Sequence, residues 1–254
     1  MKRDMRHTAG RTAVSLAVLL LIWWAASACM QKYFLPAPPM VFSALARLLS
    51  EKGIWLHLWA SLRRLLLGTM IGLAVAIPLG VAMGRIRAVD EILGAFFRFV
   101  YPIPKVVFMP VIVVLLGIGD TAKIFLIFIA IFFQMTIIIR DSVASLDQEF
   151  SEIMIAMKAS PSQTLRWLIL PGCLPGILTA LKSTLGTSVA LLMITELFAS
   201  TSGLGYYIMN CMDSRNYPQM YAGIVLLAAV SALLYGFLEK LEGWLCSWNY
   251  SFVQ

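Results

Sequence analysis

The chain has 254 residues, 60% of them hydrophobic and 13% charged, with a formal net charge of +7. Soluble domains carry roughly 25% charged residues, so this composition, with a mean hydropathy of +0.85, excludes an ordinary soluble globule. No basic stretch is interleaved with aromatic residues, so the positive balance reads as loop lysine and arginine of a membrane protein, not as a nucleic-acid surface.

Residues 1–11 place Lys2, Arg3, Arg6 and Arg11 ahead of an uncharged run at 12–31. The arrangement imitates a signal peptide, and Ala26-Ser27-Ala28-Cys29 imitates a lipoprotein cleavage site. The length of the run, Trp23 and Trp24 within it, and further uncharged runs at 65–84 and 216–238 favour a first transmembrane helix at about 12–30 instead. Runs this long match the about 20 residues that cross a ~30 Å hydrocarbon core. Pro36, Pro38 and Pro39 then forbid a straight helix. Phe42, Leu45, Ala46 and Leu49 predict a short amphipathic helix at the outer interface.

A second span is expected at 61–83, closed by Arg85 and Arg87. The third, at 92–116, contains Arg98 and Lys105 and is interrupted by Pro102, Pro104 and Pro110. Either it is a broken helix, tolerated at membrane depth only where protein or a water-filled cavity surrounds it, or it begins at the interface with Lys105 snorkelling. After a turn at 117–122, the fourth span is expected at 123–139, the fifth at 173–198 and the sixth at 219–239. The tail at 240–254 holds Trp244 and Trp248, which suit an interface. Six spans put both termini on one side, and more of the 20 Lys and Arg residues fall on that side than on the other. That is the sign of the positive-inside rule, and it makes the loop at 141–171 cytoplasmic. The expected fold is an all-α membrane protein with six transmembrane helices in a single domain, 1–254.

The loop at 141–171 is the longest polar interruption in the second half. Phe150, Ile153, Met154 and Met157 recur at helical spacing and form one apolar stripe. Ser160, Pro161 and Gln163 form a helix start, with serine at the N-cap and proline in the first turn. Pro171 and Gly172 are expected to stop that second short helix.

Little enzyme chemistry is visible. There is no GxxxxGK[ST] phosphate loop, no HExxH and no GxSxG. Cys29, Cys173, Cys211 and Cys246 have neither metal nor redox spacing and read as packing residues. His7 and His57 lie in a tail and an outer loop, so no metal site is expected. Ionisable residues within spans are functional candidates by default. The fifth span holds Lys182, about 10 Å along the helix from Pro175 at 1.5 Å per residue, and Glu196 near its outer end. Thr184, Thr187, Ser188 and Thr195 fall close to one face between them. That face either lines a translocation path or packs against another helix, as small hydroxyl residues do in membranes. Lys182 and Glu196 equally suit pairing with neighbouring charges. Lys105, Arg63 and Arg64 are further candidates for an anion path, and Tyr101 is a further candidate for the translocation path.

Glu152, the small and apolar run to Ala159 and the Leu170-Pro171 pair resemble the "EAA" loop of ABC-importer permeases. The sequences YPIPK (101–105), LLGIGDTAK (115–123) and PGCLPGILTALK (171–182) narrow the resemblance to the nitrate/sulfonate/taurine/bicarbonate group, over roughly residues 35–245. The resemblance implies a type I ABC-importer permease fold with cytoplasmic coupling helices in the inner membrane. It implies partners as well: two ATP-binding subunits that use ATP and Mg, an extracytoplasmic substrate-binding protein, and a second permease copy in a homodimer. No cofactor is expected on this chain. The coupling residues would be Glu152, Ala156, Met157, Lys158, Ala159, Ser160, Pro161 and Ser162, with Glu152 anchored by Arg140 or Arg166. The solute would be a small anion, although similar permeases carry uncharged or heterocyclic molecules. A secondary transporter or channel would leave the 141–171 loop without a purpose. The family glycine is replaced by Lys158. Lysine takes positive φ reluctantly, so either a differently built turn or an altered docking surface is expected.

Overall fold

The computed structural model describes residues 2–30, 33–198 and 200–246, the side chains of 2–13 and of Gln148 excepted. Trp248 and the histidine side chain at position 7 lie outside the described residues. Every regular element among the described residues is helical. The elements are α1 (Lys2–Met30), α2 (Pro38–Ser50), α3 (Lys52–Arg85), α4 (Arg87–Val100), a 3₁₀ turn (Lys105–Phe108), α5 (Met109–Leu116), α6 (Asp120–Ala144), α7 (Gln148–Ala156), α8 (Pro161–Thr164), a π-helical turn (Leu165–Ile169), α9 (Leu170–Leu197), α10 (Leu204–Asp213) and α11 (Tyr217–Leu245).

Four uninterrupted helices are long and apolar enough to cross a membrane: Lys52–Arg85, Asp120–Ala144, Pro161–Leu197 and Tyr217–Leu245. The α4–α5 pair meets the same test together but is bent by 81°. The first expected crossing, at 12–30, corresponds to the shorter apolar helix Val14–Met30. Its outer side chains are exposed, and it is fixed by Trp23 stacked on Tyr221 and by Ser27 donating to the Leu35 carbonyl.

Helix α6 is the centre of the bundle. It packs on α3 in parallel, and a stripe of small residues on α3 makes that contact possible. Gly68, Gly72, Gly80 and Gly84 face Ile127, Ile131, Ile139 and Val143 in turn, with Ala76 completing the row. A Cβ at Gly80 would lie 2.9 Å from Ile139 Cβ, closer than carbon atoms pack. Membrane helices associate by such close backbone approach because lipid gives no hydrophobic drive between them. Helix α9 packs antiparallel on a neighbouring face of α6, where Gly172 and Gly176 abut Leu146 and Ser142, and it also touches α3.

This arrangement decides how the α4–α5 segment runs. Because α3 and α6 are parallel neighbours in space, residues 86–119 must return from one end of the bundle to the other. The bent pair is therefore a crossing, broken at Tyr101–Pro104.

Several expectations need correction. Pro171 and Gly172 do not end a helix: the chain runs helically from Pro161 to Leu197. Pro171 occupies the first turn of α9, directly after the π turn, where a missing N–H costs least. The glycines serve contact with α6 instead. His57 is not in a loop but in the first turns of α3. Helix α10, between the fifth and sixth expected spans, was not anticipated. Cys173, Cys211 and Cys246 are buried as expected of packing residues, and burial pushes the Cys211 thiol above its ordinary range; Cys29 is exposed.

Overpacking the small-residue stripe should loosen the bundle. Gly80→Leu should destabilise by about 1–3 kcal/mol, read as a lower thermal midpoint of the detergent-purified protein. Val75→Leu, on the exposed face of the same helix, should leave the midpoint unchanged.

Candidate functional site

Three groups of residues carry the polar chemistry of this molecule. The first is the loop between α6 and α9. Helix α7 starts at Asp147, whose side chain accepts from the Glu149 N–H. It ends at Lys158 with φ of 53°. The Lys158 N–H donates to the Ile155 carbonyl at 2.9 Å and the Ala159 N–H to the Met154 carbonyl at 3.0 Å. This is the Schellman pattern normally closed by glycine. The expectation of a different turn is thus wrong: lysine adopts the left-handed conformation itself. The same pattern recurs at Arg215, φ 55°, after α10. Ser160 then caps α8 through the expected capping box, its hydroxyl accepting from the Gln163 N–H while the Gln163 side chain accepts from the Ser160 N–H.

Of the expected apolar stripe, Phe150, Ile153 and Met157 are exposed and Met154 is half-buried; Ile155, on another face of α7, is exposed as well. Glu152 is exposed and makes no ion pair or side-chain hydrogen bond among the described residues. Its expected partners are occupied: Arg140 binds Asp90 and Asp141, and Arg166 lies over the Trp167 ring. Helix α7 is instead tied to the bundle by Arg85, which donates to the Ser151 hydroxyl at 3.1 Å.

The second group lies at the opposite end of the bundle. The Glu196 carboxylate is 1% exposed and accepts from Arg64 Nη1 at 2.7 Å, from the Ser61 hydroxyl at 2.8 Å and from the Gly205 N–H at 2.8 Å. Arg64, 2% exposed, also donates to Asp120 at 2.7 Å and to the Ser202 carbonyl and hydroxyl at 2.7 and 2.8 Å. Arg63 pairs with the other Asp120 oxygen. Gly203, at φ +119°, wraps the chain around the carboxylate where any side chain would collide with it, and its N–H donates to His57 Nδ1. The node joins α3, α6, α9 and α10. Ser61, Asp120, Ser202 and Gly205 were not singled out from the sequence. Ser202 and Gly205 lie in a TSGLG turn following an intramembrane glutamate, and Asp120 lies within the LLGIGDTAK stretch; Ser61 carried no local signal.

The third group surrounds the α4–α5 bend. A cavity of about 390 Å³ is lined by Tyr101, Lys105, Phe133, Gln134 and Thr187 together with apolar side chains. The hydroxyl residues of α9 therefore divide. Thr187 faces this cavity, whereas Thr184, Ser188 and Thr195 are buried and donate to carbonyls of their own helix. Lys182 reaches Glu242 on α11 at 2.5 Å. Of the residues expected along a path, the structure brings together Tyr101, Lys105 and Thr187. Arg64 and Glu196 are committed to the buried node. The described residues contain no His/Cys/Asp/Glu cluster able to hold a metal.

Comparison with known proteins matches this geometry. The family model described as binding-protein-dependent transport system inner membrane component matches residues 68–245. The taurine transport system permease protein of Escherichia coli strain K12 is 34% identical over 242 residues, covering 92% of this chain and 88% of its own. The formylaminopyrimidine transport permease protein of Halalkalibacterium halodurans is 28% identical, covering 91% and 93%. Among solved structures, an inward-facing conformation of the MetNI methionine ABC transporter shares the fold, with a TM-score of 0.68 at 22% identity over 77% of this chain and 98% of that one.

Two stability predictions follow from these groups. Removing one partner of a buried ion pair strands the other charge, so Arg64→Ala and Glu196→Ala should each destabilise by about 3–5 kcal/mol. A double-mutant cycle should show the two losses to be strongly non-additive, and simple additivity would contradict the pairing. Lys158→Gly should raise the thermal midpoint, relieving about 1–2 kcal/mol of left-handed strain.

Proposed function

The chain belongs to the family of binding-protein-dependent transport system inner-membrane components; it is a permease subunit of an ABC importer, and we propose that α7 and the start of α8 are its docking element for the ATPase. ATP hydrolysis belongs to a separate subunit in this family, so this chain is not an enzyme. The observation that carries the proposal is the exposure of Phe150, Ile153 and Met157 along the stripe, with Ile155 exposed beside it and Glu152 without an ion pair among the described residues. An exposed apolar stripe on a helix that also carries a charge suits a groove on a partner protein. Ala156, Lys158, Ala159, Ser160, Pro161 and Ser162 complete that surface.

In the proposed assembly two copies of this chain pair with two ATPase subunits, which bind ATP and Mg, and with one extracytoplasmic binding protein. The α7 end, and with it both termini, faces the cytoplasm of a multi-pass inner-membrane protein. Closure of the ATPase dimer displaces α7, and the helix from Pro161 to Leu197 carries that displacement into the bundle. The cavity lined by Tyr101, Lys105 and Thr187 forms part of the path. The solute is a small anion of the sulfonate type. The taurine permease is the more similar of the two relatives compared, and the only charged residue lining the cavity among the described residues is a lysine.

Glu152→Lys tests the docking assignment. In proteoliposomes with the cognate ATPase and binding protein, it should leave membrane insertion unchanged. It should lower ATP-driven uptake at least tenfold and reduce ATPase copurification. Uptake at the parent rate, or a chain that copurifies with no ATPase at all in its unmutated form, would sink the assignment.

A further inference from the structure

Lys105 sits beside the cavity in an unusual state. Its ammonium donates to the carbonyls of Val100, Tyr101 and Ile103 at 2.6, 3.1 and 2.7 Å. A lysine has three N–H donors, so all are used. The Phe133 ring lies 5.1 Å from Nζ and offers its face to the charge. Arg64, Arg140 and Lys182 each meet a carboxylate; Lys105 meets none among the described residues. Among the described residues the cavity lining contains no acidic side chain. Lys105 therefore supplies a positive field to the cavity but no free hydrogen-bond donor. The donors that remain belong to neutral groups: the Gln134 carboxamide and the hydroxyls of Tyr101 and Thr187. None of the three makes a side-chain hydrogen bond among the described residues.

Resting on the reading of this cavity as part of the path, we infer that it is a transient station for the oxyanion group of the solute. Tyr101, Gln134 and Thr187 contact the anion, and Lys105 selects for its charge without touching it. The division suits transport. A fixed ammonium in direct contact would hold an oxyanion tightly, whereas a conducting site must attract its ion and still release it. The charge is kept out of contact by the break in the helix, because the carbonyls freed at 100–103 occupy the ammonium. Gln134 thereby becomes a specificity residue that the sequence pattern did not mark.

The test is the charge preference of thiol modification in the full transporter complex. Cysteine is introduced as Thr187→Cys and, separately, as Gln134→Cys. The background carries Cys29, Cys173, Cys211 and Cys246 changed to alanine; if that background does not assemble, the native chain is used with its own labelling subtracted. Each variant is reacted with sulfonatoethyl and with trimethylammonioethyl methanethiosulfonate, and rates are normalised to those of a free thiol. The anionic reagent should be preferred on the order of tenfold at both positions. Lys105→Gln, which keeps two N–H donors for the carbonyls and removes the charge, should bring the ratio towards one. Lys105→Arg should preserve it. Equal rates for the two reagents, a ratio insensitive to Lys105→Gln, or no reaction at either position would each overturn the inference. Copurified ATPase activity is measured on the same samples. An assembled, ATP-hydrolysing complex without the charge preference would reject the anion station alone, whereas a chain that recruits no ATPase would reject the permease assembly.

Discussion

The buried Arg64–Glu196 pair is the constraint on which the rest of this fold depends. Two full charges, each at most 2% exposed, are removed from water among apolar helices. Such a pair is tolerable only when the remaining hydrogen-bonding capacity on both sides is satisfied. Ser61, Asp120, the Ser202 carbonyl and hydroxyl and the Gly205 N–H supply what is missing. They come from α3, the start of α6 and the 200–205 turn leading into α10, so with Glu196 on α9 the charge requirement fixes α3, α6, α9 and α10 relative to one another. The left-handed Gly203 belongs to the same requirement, since the 200–205 turn must lie directly on the carboxylate.

The opposite end of the bundle is held by weaker means. Arg140 and Asp90 are about one-third and one-quarter exposed, and the Arg85–Ser151 hydrogen bond is exposed. Partly solvated pairs contribute little beyond about 1 kcal/mol each. Between the ends, the parallel α3–α6 seam is closed by small residues and β-branched partners. The bundle is therefore tight along its length, pinned at the Glu196 end, and only lightly tethered where α7 projects.

How far the sequence revealed this follows from which interactions are local. Span composition, the capping box at Ser160 and the apolar stripe on α7 depend on neighbours within a turn or two, and they read correctly. The break at Tyr101–Pro104 was visible because prolines act locally. The Arg64–Glu196 node was not, because its hydrogen-bonded partners lie up to 146 positions apart. Arg63 and Arg64 read as path residues only because no partner could be assigned to them. The glycine stripe of α3 read as ordinary apolar sequence for the same reason, since its meaning lies in Ile127, Ile131 and Ile139. Pro171-Gly172 was misread in the other direction: a reliable local stop signal was overridden by a π turn and by contact with α6. Lys158 shows that a backbone position can demand positive φ without a glycine to announce it, when the two flanking Schellman hydrogen bonds outweigh the strain.

These features combine into a lever. From Pro161 to Leu197 the chain is one helix, and its far end carries Glu196 in the node. A rigid rod pinned at one end turns about that pin when its other end is moved, so a displacement delivered at α7 would be greatest near α8 and least at Glu196. Along this rod the π turn at Leu165–Ile169 and the prolines at 171 and 175 fall close together. There the regular ladder of backbone hydrogen bonds is interrupted, making this the most compliant place for the rod to bend. Gly172 and Gly176 sit within the same stretch, against the end of α6, where a bend would be felt first by the neighbouring helix. Thr187 lies beyond that point on the path towards the pin. On the coupling reading, motion at α7 thus reaches the cavity as a small change in the distance between α9 and the α4–α5 bend, not as a wholesale shift of the bundle.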